Sequence, residues 1–186
     1  MKKKISMIRE IENLLTSLFP LNRGLVSRNN LISLNIIKKI VKNLKIVSVK
    51  SGTKVFDWKI PKEWIVKDGY IKSLKNKRIL DFKKNNLHIA TNSIPINKII
   101  KTKYLIPKIF YSENTKSSIP YRTMYYKKDW GFCATKKQYK EILKHKKLKV
   151  KIDSKFKNGN LNIGELVIKG KSKKEFLIST YICHPS

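Results

Sequence analysis

Around Ile46 the spacing of apolar residues changes from a helical to a strand-like period, and that switch limits what the chain can fold into. Before it, Ile5, Ile8, Ile11, Leu14, Leu15, Leu18 and Phe19 form one helical stripe that Pro20 ends. A second helical pattern runs through Leu34, Ile37, Val41 and Leu44, with Ser27, Asn29 and Asn30 as candidate caps. After the switch, residues 54–60 alternate and place Phe56, Trp58 and Ile60 on one face. Asp68-Gly69, set between residues 64–67 and 70–72, predicts a hairpin, because Asp-Gly tolerates the positive φ of a type I′ turn. Residues 78–82, 87–90 and 104–106 predict further strands, and Pro61, Pro95, Pro107 and Pro120 argue against helix.

Helical order returns at Thr135, where Thr135-Lys136-Lys137-Gln138 fits a capping box before Tyr139, Ile142 and Leu143. Residues 148–156 and 161–168 flank Asn158-Gly159 and predict a second hairpin. Residues 176–183 form a nearly unbroken apolar run, of the kind buried on both faces of an α/β sheet. The predicted fold class is therefore α/β, with residues 46–134 as a β-rich insert between residues 1–45 and residues 135–186.

The formal charge is +31, from 43 Lys plus Arg against 12 Asp plus Glu. Such an excess invites a nucleic-acid reading, since basic surfaces gain affinity through counterion release. Yet Lys outnumbers Arg 38 to 5, and Lys, Ile and Asn make up 79 of the 186 residues. Those three types share A/T-rich codons, and base readout favours the Arg fork that is scarce here. The lysines are also spread along the chain. We therefore expect a solvated basic surface and no specific nucleic-acid partner. No apolar run approaches the ~18–20 residues of a membrane-spanning helix. Met1-Lys2-Lys3-Lys4 opens like a signal peptide, but Arg9, Glu10 and Glu12 interrupt any apolar region after it. Cys133 and Cys183 are too few for a disulfide framework, so the expectation is a soluble cytoplasmic protein of open oligomeric state.

Among the three histidines, His88 and His145 read as packed or surface residues. His184 stands just past the apolar run, where open α/β sheets place ligands and metals; it is a candidate metal ligand or a plain strand-end histidine. Neighbouring Cys183 would point to the opposite strand face, which disfavours a Cys–His nucleophile pair. Both cysteines read as small apolar packing residues. Gly-rich phosphate loops, CxxC pairs and HExxH helices are missing from the sequence. The aromatic set Tyr121, Tyr125, Tyr126, Trp130 and Phe132 suits core packing better than a substrate groove.

Several segments carry a family resemblance together. They are Ser51-Gly52-Thr53-Lys54-Val55-Phe56-Asp57-Trp58-Lys59-Ile60-Pro61-Lys62-Glu63-Trp64, Ile119-Pro120-Tyr121, Trp130-Gly131-Phe132-Cys133, Ile152-Asp153-Ser154, Gly164-Glu165-Leu166 and Ser179-Thr180-Tyr181-Ile182-Cys183-His184-Pro185-Ser186. In order and approximate spacing they resemble the N-terminal part of a bacterial aminopeptidase-like family often encoded among polysaccharide-biosynthesis genes. The resemblance implies an incomplete zinc-exopeptidase α/β sheet domain interrupted by a β-rich inserted domain, followed in full-length members by a winged-helix domain. It implies zinc as cofactor, His184 as one metal ligand, and a peptide or aminoacyl-amide substrate cleaved at its N-terminal bond. The remaining ligands and the carboxylate base of that family come later in its sequence, so no catalytic residue is assigned here. A zinc site needs about three protein ligands and hydrolysis needs a base, so this chain alone is expected to be an inactive fragment. Two other classes compete: a non-catalytic module for a glycan or polyanion built on the β-rich block, and lysine-driven nucleic-acid binding.

Overall fold

The computed structural model describes residues 2–183, and its longest-range ladder sets Ser48 opposite Asn162, 114 residues further on. Along the chain lie helices α1 (Lys2–Leu18) and α2 (Arg28–Ile40), then strands β1 (Lys45–Lys50), β2 (Lys54–Val55) and β3 (Trp58–Lys59). Next come β4 (Glu63–Lys72), β5 (Arg78–Asp81), β6 (Ile96–Lys101), helix α3 (Thr102–Leu105) and β7 (Ile109–Phe110). Strand β8 (Phe132–Cys133), helix α4 (Lys136–Leu143), β9 (Lys147–Lys157) and β10 (Asn160–Glu165) complete the order. The chain forms two compact units: Trp64–Lys157, and the residues on either side of it.

In the flanking unit, β1 and β10 pair antiparallel, from Lys45 opposite Glu165 to Lys50 opposite Asn160. Helix α2 begins where its first free N–H groups find oxygens: Asn29 N donates to Ser27 Oγ at 3.1 Å and Arg28 N to Glu63 Oε1 at 2.8 Å. A carboxylate there also meets the positive end of the helix dipole. Gly164 lets α2 close on the ladder, since a Cβ there would lie 2.7 Å from Leu34 Cδ2. Helix α1 keeps much of its apolar stripe in solvent, with Ile8, Ile11 and Leu15 exposed, as is Phe19 just after it.

The Trp64–Lys157 unit is built on a four-stranded sheet of order β5-β4-β9-β6. Its core includes Ile71, Leu80, Leu105, Phe132, Ile142, Leu148 and Val150, all fully buried. Each such side chain contributes about 1.5–3 kcal/mol relative to exposure. The Trp64 indole N–H and the Ser154 hydroxyl both donate to Ser93 O, at 2.9 and 2.8 Å. A short parallel pair, β7 with β8, sets Ile109 opposite Phe132.

The helices, the capping box at Thr135 and the strands near residues 78–82 and 148–156 follow the sequence expectations. Six local expectations are corrected. Asp68-Gly69 is not a turn: β4 runs straight through it. A Cβ at Gly69 would lie 2.2 Å from Ile89 Cδ1 and 3.3 Å from Lys151 O, so this glycine serves close packing. The actual β4–β5 turn spans Ser73 to Lys77, with Asn76 at φ 66°, a region Asn tolerates. Asn158-Gly159 is not a hairpin either, because β9 pairs with β4 and β6 while β10 pairs with β1. Residues 54–60 fold back at Phe56-Asp57 into the β2–β3 hairpin, which leaves Phe56 93% exposed at φ 54°. Residues 87–90 give a 3-10 turn at Asn86–His88, because Asn85 Oδ1 accepts from Leu87 N at 2.9 Å. Residues 104–106 fall in α3 and a following 3-10 turn, Ile106–Lys108, that Pro107 initiates. Residues 176–183 form no strand, and Phe176, Leu177 and Ile178 are over 90% exposed. A strand needs neighbours to pair its N–H and C=O groups, and none of the described strands lies against this run.

The fold is thus mixed α and β with several small sheets. The expected insert, 46–134, and the compact unit, 64–157, share residues 64–134. The unit takes in α4 and β9 because Ile142, Leu148, Val150 and Ile152 belong to its core, while β1 pairs outside it.

Substituting Gly69→Ala should destabilise the protein by about 1–3 kcal/mol through overpacking. Adding Ile89→Val, which removes the clashing Cδ1, should return part of that loss in a denaturant double-mutant cycle. Strict additivity of the two would contradict the close-packing role.

Candidate functional site

The metal ligand expected from the sequence, His184, lies outside the described residues. Cys183, beside it, is half-buried. Among the described residues no three His, Cys, Asp or Glu side chains gather in a way that could hold a metal ion. The described donor set therefore does not by itself fit a zinc site.

His88 is a structural residue, 4% exposed. Its Nδ1 lies 2.8 Å from Cys133 O, and its Nε2 lies 3.3 Å from Gln138 Nε2. Gln138 Oε1 accepts from Thr135 N at 2.9 Å and from Thr135 Oγ1 at 3.0 Å, which orients the amide. Its NH2 group therefore faces His88, so Nε2 accepts and Nδ1–H donates to Cys133 O. A proton on Nε2 would set two donors against each other. Burial lowers the pKa of His88 from 6.5, against smaller upward pulls from the Cys133 carbonyl and Asp81. The Cys133 thiol is fully buried and pushed up to about 12 by desolvation, so it is no nucleophile. His145, 28% exposed and just past the end of α4, has Nε2 3.9 Å from Glu141 Oε1. The aromatic set does not converge: Phe132 is core and packs edge-on to Trp130, while Tyr126 is 91% exposed. Tyr121 Oη instead meets Thr91 Oγ1 at 3.1 Å.

What the sequence reading missed is a cleft of about 810 Å³ within the Trp64–Lys157 unit. Strand β5 and the residue before it contribute Lys77, Arg78 and Ile79; α4 contributes Lys136, Lys137 and Lys140. Glu113 and Lys116 come from the connection after β7, and Glu141 and Lys144 from the end of α4. Lys136 Nζ holds Glu113 at 2.7 Å, and that hydrogen bond is the main reason the carboxyl sits below its usual range. Lys144 at 3.1 Å and Lys77 at 3.5 Å do the same for Glu141. The Tyr111 phenol, hydrogen-bonded to Glu113, is pushed up to about 12, and its ring stacks on Tyr139 at 4.0 Å. No periodicity points to this cleft, because its walls are far apart in sequence.

A family model described as a domain of unknown function, DUF2172, matches residues 63–155, half of the chain and nearly the whole inner unit. The chain belongs to the DUF2172 family. It is 42% identical over 177 residues to a Clostridium acetobutylicum protein named for polysaccharide biosynthesis and an aminopeptidase-like domain. That match covers 95% of this chain and 40% of the relative. A solved Clostridium acetobutylicum structure, named as a peptidase, superimposes with a TM-score of 0.76 at 41% identity. It covers 83% of this chain and 36% of that one, so this DUF2172 chain spans about two-fifths of its curated relative's length. The aminopeptidase-like resemblance read from the motifs is upheld. Among the described residues, no helix is long and apolar enough to cross a membrane.

For His88 the sign of the pH effect follows from its lowered pKa. The stability it contributes is present above its unfolded value of 6.5 and is lost as pH falls through the folded value. Its ring proton signal should titrate below 6.5 by NMR, and unfolding free energy should fall as the pH drops below 6.5. His88→Gln should flatten that fall; an unchanged slope would contradict a neutral, locked imidazole.

Proposed function

We propose that this chain is the amino-terminal part of a zinc-dependent aminopeptidase-like protein that hydrolyses N-terminal peptide or aminoacyl-amide bonds. What supports this reading is a likeness of 41% identity, with a TM-score of 0.76, to a solved protein named as a peptidase. His184 is the metal ligand in this reading, and residues 176–183 complete their strand inside an exopeptidase-type sheet. The exposed side chains of Phe176, Leu177 and Ile178 are the surface that such a sheet would cover. The 186 residues by themselves bring one candidate ligand where a catalytic zinc needs about three. They are therefore inactive alone, and they serve the whole protein as framework and substrate-facing module.

A chimera tests this directly. The 186 residues replace the matching part of the Clostridium acetobutylicum relative, and zinc content and aminoacyl-anilide hydrolysis are measured. The chimera should retain zinc and hydrolyse, and His184→Ala should lower both bound zinc and rate. The isolated chain should show neither activity nor stoichiometric zinc. Chelator-sensitive hydrolysis by the isolated chain, or a folded chimera that keeps its zinc after His184→Ala, would overturn the reading.

A further inference from the structure

The basic cleft concentrates charge well beyond the lysine-rich background. Seven of its twelve lining residues are Lys or Arg, against fewer than one in four along the whole chain. The arrangement also runs against what would stabilise α4. Lys136 and Lys137 occupy its first turn, which holds no acidic residue, although the positive end of the helix dipole disfavours cations there. Lys136, Lys140 and Lys144 then follow at four-residue steps of about 6 Å along one side of the helix. Both carboxylates of the cleft are already held, Glu113 by Lys136 and Glu141 by Lys144 and Lys77. Lys116, Lys137 and Lys140 make no ion pair among the described residues and are exposed around the same concavity. Locally unfavourable choices gathered on one concave surface mark a place shaped for a ligand.

We propose that this cleft binds an acidic oligosaccharide, a chain of sugar rings bearing carboxylate groups. The lining separates this ligand from other polyanions. An extended acidic peptide would dock by adding to the free edge of β5, yet Ile79 O there already accepts from Gln138 Nε2 at 3.4 Å. Nucleic acid calls for Arg forks and open aromatic platforms. The cleft has one arginine, and Arg78 is engaged by Asp81 at 2.9 Å and Asp68 at 3.7 Å. The neighbouring rings of Tyr111 and Tyr139 are stacked on each other. What remains is Ile79 with aliphatic lysine stems for the C–H faces of sugar rings, and mobile ammonium groups for carboxylates placed at intervals. The relative named for polysaccharide biosynthesis agrees with such a ligand. Hydrolysis is no part of this inference, so it stands or falls separately from the zinc reading.

Titrating the intact 186-residue chain with tetragalacturonate, maltotetraose and a thymidine tetranucleotide at ~0.15 M salt tests it by calorimetry. Tetragalacturonate should bind and maltotetraose should not. Lys137→Glu with Lys140→Glu should weaken tetragalacturonate about tenfold, and Lys137→Gln with Lys140→Gln by less, while circular dichroism is retained. Lys98→Glu with Lys155→Glu, both exposed and outside the cleft, should change affinity by less than about twofold. Equal weakening by the control pair, equal binding of the neutral sugar, tighter binding of the nucleotide, or no binding of tetragalacturonate would each overturn the proposal.

Discussion

The flanking unit depends on one close approach. A Cβ on Gly159 would lie 2.8 Å from Glu63 Cβ and 3.3 Å from Val26 Cγ1, so a larger residue would have to push these side chains aside. The contact is pinned from both sides. Gly159 N donates to Ser51 Oγ at 2.9 Å, Ser51 N donates to Gly159 O at 2.9 Å, and Glu63 serves the first turn of α2. The chain thus leaves this unit at Glu63 and re-enters it beside the same residue. Everything between can fold as an excursion whose ends are already together, and the entropy of closing so long a loop grows only slowly with its length. The DUF2172 match ends within two residues of that excursion at each end.

The sequence was legible where local chemistry decides structure. Ser27 caps α2, and Thr135 with Gln138 forms the capping box of α4, because those bonds join residues two or three apart. It misled where a local signal had a long-range use. Asp68-Gly69 and Asn158-Gly159 both carry turn chemistry, yet each glycine is there for contact with a distant element: Ile89 and Lys151 in one case, Ser51 and Glu63 in the other. Phe56 shows the converse. It alternates like a strand residue, but the structure sets it at a positive φ on a hairpin tip, which no pattern of apolar residues reveals.

The candidate sites divide the same way. Position at the end of an apolar run singled out His184, and family resemblance gave it a role. The basic cleft is not legible in the sequence, because its lysines and arginine come from three separate segments of a chain that is lysine-rich throughout. His88 looked unremarkable as a lone histidine, and its role is structural: it links β8 to the cap of α4 through Cys133 and Gln138. A buried, neutral imidazole thereby supports the helix that carries three of the cleft's lysines, Lys136, Lys137 and Lys140.

The central structural claim is that Trp64–Lys157 is a self-supporting excursion from a unit closed by β1 and β10. Native-state hydrogen exchange across a series of low denaturant concentrations tests it most directly, comparing the intact chain with Gly164→Ala. That substitution would place a Cβ 2.7 Å from Leu34 Cδ2 in the flanking unit. Amides of β1 and β10 should lose protection by about 1–3 kcal/mol, while those of β4, β6 and β9 keep theirs. Equal loss in both sets would mean that the chain opens as one cooperative structure and would contradict the account.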